Sequence, residues 1–138
     1  MEITEQKRTV NNICRYFDGK VIGTYLLVQL DLLKIEDIHD IDIAISELKL
    51  DNVRSYLSDK GYNETSPPKN YPGYKPEEGS LKFNHRVKKE GFLPIHLIVW
   101  KERFMGVFSV KELLAEKIKR GFDHDLITVR KVLDKMIK

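Results

Sequence analysis

Cysteine is nearly absent from this chain. The single Cys14 excludes an internal disulfide framework and fits a reducing compartment. On the apolar side of the first helix it reads as core. Long apolar runs are lacking too, and none approaches the roughly 20 residues that cross a bilayer. The charged residues 1–8 lack the apolar stretch of a secretion signal. The expectation is a cytoplasmic protein with no membrane partner. Proline is scarce outside one segment, since Pro67, Pro68, Pro72 and Pro76 account for four of the five.

What is present suits a globular fold. With 138 residues, 41% apolar and 33% charged, the chain has the length of one domain and enough apolar content for a core. The net charge of +3 hides an asymmetry. Residues 1–78 carry a net −4 and residues 79–138 a net +7. An acidic half facing a basic half suits a site that holds a metal and an anionic ligand together, and solvated lysine-rich helix faces would give the same count. Nucleic-acid binding through the basic half rests on charge alone.

Apolar spacing predicts helices over residues 4–17, with Thr4 as N-cap, then 25–33 and 48–60, the last closed by Gly61. A short strand over 20–22 runs into Gly23-Thr24. Residues 62–79, with the four prolines and Tyr62, Tyr71 and Tyr74, read as a long irregular loop. Strands over 80–88 and 92–100 form a hairpin turning near Lys89-Glu90-Gly91, and 104–108 is a further short strand. Ser109 and Glu112 have capping-box spacing for a helix with Leu113, Leu114 and Ile118 inward. The last helix, 125–137, is read with Leu126, Val129, Leu133 and Met136 inward.

The predicted strand 40–45 carries the chemistry. Side chains alternate along a strand, so Asp40 and Asp42 share a face. Two like charges there raise each other's pKa, and burial disfavours both ionised forms. A divalent cation is the usual compensation. His39, His96 and His124 have no zinc-ligand spacing, which leaves a histidine cluster a minor alternative.

Taken in order, these pieces resemble the nucleotidyltransferase superfamily, with its DNA polymerase beta-like fold. The resemblance is to its small bacterial branch related to abortive-infection and antitoxin nucleotidyltransferases. Val21-Ile22-Gly23-Thr24 stands for the family's strand and Gly-Gly or Gly-Ser turn, with Thr in place of the second Gly or Ser. Asp40-Ile41-Asp42 stands for its Asp-x-Asp strand. Glu112-Leu113-Leu114-Ala115-Glu116-Lys117 through Asp125-Leu126 is similar to that branch's lysine-bearing helix and the Asp opening its last helix. The resemblance implies an α/β (α+β) fold, a single domain with a mixed sheet flanked by helices. It also implies a magnesium or manganese ion held by Asp40 and Asp42. An NTP, ATP foremost, would be held by Gly23, Thr24 and Lys117, and its nucleoside monophosphate would pass to an unidentified hydroxyl acceptor. Asp125 would orient Lys117 or cap the last helix.

The pattern departs at Leu93-Pro94-Ile95-His96-Leu97, where His96 stands at the family's third carboxylate. Imidazole is a poor magnesium ligand. It can ligate manganese or zinc, or act as general base near neutral pH. Two readings follow: a nucleotidyltransferase with Asp40, Asp42 and His96 as its catalytic set, or a catalytically degenerate fold that binds a nucleotide or a protein partner, such as the partner in a toxin–antitoxin pair.

Overall fold

Every residue from Ile41 to Ile45 is buried, as expected of a strand covered on both faces. This is β2 (Ile41–Ser46), the middle of the structure. In the computed structural model, which describes residues 3–65, 81–100 and 110–137, it pairs in parallel with β5 (Ile95–Trp100) and antiparallel with β1 (Lys20–Ile22). β4 (Leu81–Lys88) pairs antiparallel with β5, and β3 (Asn63–Thr65) antiparallel with β4. The sheet order is β1-β2-β5-β4-β3. The fold is therefore mixed α/β with a mixed sheet, as expected, and the sheet has five strands among the described residues.

One face of the central pair is apolar. Ile41, Ile43 and Ile45 lie in register with Ile95, Leu97 and Val99, all at most 1% exposed. The core around them takes Val10 and Ile13 from α1 (Ile3–Tyr16), Tyr25 and Leu27 from α2 (Thr24–Gln29), and Leu50, Val53 and Leu57 from α3 (Leu50–Asp59). Leu113 and Leu114 of α4 (Val110–Arg120) join it, with Val129 and Val132 of α5 (Asp123–Ile137). No helix among the described residues is long and apolar enough to cross a membrane.

Several expected elements shift. Thr4 lies inside α1, which already runs from Ile3, so it is not the N-cap. α2 stops at Gln29 because Asp31 takes a left-handed conformation with φ 61°. Leu32 N–H then donates to Leu27 C=O and Asp31 N–H to Val28 C=O, the paired closing bonds of a Schellman motif. The segment before α3 is a 3₁₀ turn, Glu47–Lys49, with Ser46 Oγ accepting from Leu48 N–H. Gly61, with φ 91°, ends α3 through the same pair of closing bonds, as expected.

β3 occupies the start of the expected 62–79 loop; the rest of that loop, the strand expected at 104–108 and Ser109 lie outside the described residues. On α4, Ile118 is exposed and Lys117 takes the inward place. On α5 only Val129 of the expected inward set is buried. Leu126, Leu133 and Met136 are 44–55% exposed. The helix instead turns in Asp125, Val129 and Val132, a stripe that seats the Asp125 carboxylate against Lys117.

The hairpin meets α1 through a buried side chain. Gln6 Nε2 donates to Leu93 C=O at 2.7 Å and to the Tyr62 hydroxyl at 3.1 Å. Gln6 Oε1 accepts from Leu93 N–H at 3.2 Å. Both amide ends are satisfied, which removes the cost of burying them.

Candidate metal centre

The second face of the sheet carries a row of polar side chains. Register places Ile22, Asp42, His96, Arg86 and Thr65 side by side across all five strands. Directly opposed residues project from the same face, so the parallel β2–β5 pair sets Asp42 beside His96. Both are buried, at 8% and 1% exposure. His96 Nδ1 lies 3.5 Å from Asp42 Oδ1, and that oxygen has no hydrogen-bond partner among the described residues.

Asp40 completes the group. It sits just ahead of β2 rather than within it, because pairing begins where Ile41 N–H donates to Pro94 C=O at 2.9 Å. The two-residue spacing still keeps it with Asp42. Asp40, Asp42 and His96 each offer a ligand atom, all within 4.8 Å of one another. The Asp40 carboxyl is held above the usual aspartate range. Burial is the main cause and the charge of Asp42 the next, with His96, Arg86 and His39 acting in the opposite direction.

Gly23 is fitted to this group. It has φ 73° and ψ −154°, a region open essentially to glycine. A Cβ there would lie 2.7 Å from Asp42 Oδ2. Glycine thus admits the carboxylate against the turn backbone. Thr24, half-buried, opens α2 directly after it.

Lys117 has a partner of its own. Its Nζ donates to Asp125 Oδ1 at 3.3 Å in an α4–α5 ion pair whose side chains are 6% and 2% exposed. Asp125 is therefore Lys117's partner, the orienting role considered for it. α5 itself opens two residues earlier, at Asp123. His39 and His124 are both exposed, and among the described residues the only group of three or more metal-type ligands is Asp40, Asp42 and His96. The histidine cluster is set aside.

Arg86 was not among the residues singled out in the sequence. Its place follows from the hairpin register, in which Val87 opposes Ile95 and Arg86 opposes His96. Counting outward from the turn would have found it, had the turn been centred on Gly91 rather than one residue earlier.

No protein-family profile, curated protein or solved structure matches this chain.

Proposed function

We propose that the Asp40–Asp42–His96 group binds a divalent cation and, with it, the phosphate chain of a nucleoside triphosphate. The observation that carries this reading is the convergence of three ligand-type side chains within 4.8 Å on a buried sheet face. The fit is supported by Asp42 Oδ1, a buried carboxylate oxygen without a hydrogen-bond partner among the described residues, a costly arrangement that a cation relieves. Two carboxylates and one imidazole favour manganese over magnesium, which prefers oxygen ligands alone. When bound, such a cation supplies positive charge against phosphate oxygens and lowers their repulsion toward an incoming nucleophile. The Gly23–Thr24 turn beside Asp42 would supply further phosphate contacts, whereas Lys117, expected from the resemblance to join them, is engaged with Asp125.

The reaction that the resemblance implies for this arrangement is transfer of a nucleoside monophosphate to a hydroxyl. A bond forms from the acceptor oxygen to the α-phosphorus, its hydroxyl proton passes to solvent, the α–β phosphoanhydride bond breaks, and pyrophosphate leaves. The test is calorimetric titration of ATP and GTP with manganese or magnesium, on the wild type and on Asp40→Asn/Asp42→Asn. Metal-dependent binding lost in the double variant is expected. Absent or metal-independent binding in the wild type overturns the reading.

A second reading, binding without chemistry, is favoured by one observation: His96 stands in register with Asp42, where the resemblance implies a third carboxylate. Nucleotide transfer by His96→Asp alone, with none by the wild type, would select it.

A further inference from the structure

The row that holds Asp42 and His96 does not end there. Arg86 on β4 lies directly opposite His96, and Thr65 on β3 directly opposite Arg86, with Thr65 Oγ1 donating to Arg86 C=O at 3.3 Å. Arg86 therefore projects from the face that carries the metal-ligating group. Its side chain is half-buried, so it is neither a core residue nor a fully solvated surface charge. Its positive charge acts on Asp40, as it also would on anything bound at that carboxylate.

The charges of the site suggest what such a residue is for. Two carboxylates are balanced by one divalent cation. Once that balance is struck, the guanidinium is the remaining formal charge of the row, and an anion is its complement. A guanidinium stays charged at any working pH and presents paired N–H donors that match two oxygens of one phosphate group.

We propose that Arg86 is an anion-binding residue of the Asp40–Asp42–His96 centre, holding one phosphate group of a polyphosphate ligand whose other oxygens face the metal. The proposal rests on the metal-site reading above, and adds to it the group that selects a phosphorylated ligand over a bare cation. It makes an unusual demand. Without a ligand, Arg86 sits beside the cation site as a like charge and weakens cation binding. With a polyphosphate present, the same residue strengthens binding. A residue that only braces the sheet would move both affinities together.

The experiment compares two probes on the wild type, Arg86→Gln and Arg86→Lys, with circular dichroism to confirm folding. Manganese binding alone is read by electron paramagnetic resonance. Binding of the manganese complex of inorganic triphosphate is read by calorimetry. For Arg86→Gln the expected result is manganese affinity equal to or above wild type, together with a loss of about 10- to 100-fold for the triphosphate complex, the range for a charge-assisted contact. Arg86→Lys, which keeps the charge without the paired donors, falls between.

Wild-type affinity for the complex in Arg86→Gln overturns the role of Arg86 and leaves the metal site standing. A parallel loss of both probes overturns it in favour of a structural role. Failure of the wild type to bind manganese overturns the metal reading itself, and this proposal with it. Should Arg86→Gln not fold, Arg86→Lys carries the comparison: a loss of about tenfold for the complex alone supports the proposal, and wild-type affinity overturns it.

Discussion

At Gly23 a backbone position and a carboxylate compete for the same space. The missing Cβ would fall 2.7 Å from Asp42 Oδ2, and the backbone angles there belong to glycine. Gly23→Ala therefore pays twice, in strain and in displacing Asp42. Urea unfolding should show a loss of about 1–3 kcal/mol, the cost of such a backbone conformation in a non-glycine residue. Manganese affinity should fall with it; an alanine variant with wild-type stability and affinity would contradict the account. Asp40 gives a second prediction, with the opposite sign. Its pKa is raised in the folded state by burial and by Asp42, against His96, Arg86 and His39. The folded chain thus keeps that proton at a pH where the unfolded chain has lost it. The associated stability is present below the ordinary aspartate range and is lost as pH rises through the raised value. Above that raised value the ionised Asp40 carboxylate works against folding. Asp40→Asn should be more stable than wild type near pH 7 without metal, with the difference closing in acid, as thermal unfolding across pH will show.

Among the elements, α4 and α5 are joined by the Lys117–Asp125 pair, buried at both ends. Asp125 Oδ1 also lies 3.5 Å from His124 Nε2. Removing one member takes its ion-pair partner from a buried charge, so Lys117→Met or Asp125→Leu should each cost about 3–5 kcal/mol. The double variant should recover part of that loss, because an apolar pair of similar volume leaves no half of this ion pair behind. Additive losses in urea titrations of the cycle would rule out a direct pair. This pair also explains why the apolar spacing of α5 points to the wrong face. Leu126, Leu133 and Met136 make as good an apolar stripe as Val129 and Val132, and periodicity alone cannot know that an aspartate belongs inside. Gly61 announced the end of α3, whereas Asp31 closes α2 by the same motif without glycine's signal. β3 is three residues long, too short for a period-two pattern. The Asp40–Asp42 alternation was legible because it depends on local geometry alone. The neighbourhood of His96 and Arg86 was less so, because it depends on which strands become neighbours and in what register.

For the molecule as a whole, the candidate site is assembled from distant parts of the chain. Gly23, Asp40, Asp42, Arg86 and His96 meet only because β1, β2, β5 and β4 are hydrogen-bonded in that order. An unfolded chain has no such site, so a cation bound there stabilises the fold by mass action. Manganese at 100 times its dissociation constant should raise stability by about 2.7 kcal/mol. Asp40→Asn/Asp42→Asn should show no such rise, and an equal rise in both proteins would place the bound metal elsewhere. The mixed α/β class was legible from the alternation of helical and strand segments, while the sheet order required the structure.

The Gln6 clamp on the hairpin has a consequence for solvent exchange. Leu93 belongs to no strand, yet its amide hydrogen is bonded to a side chain from the first helix rather than to water. That hydrogen can swap for deuterium only when the Gln6 contact opens. A single loop amide thereby times the parting of the hairpin from a side chain 87 positions away in sequence.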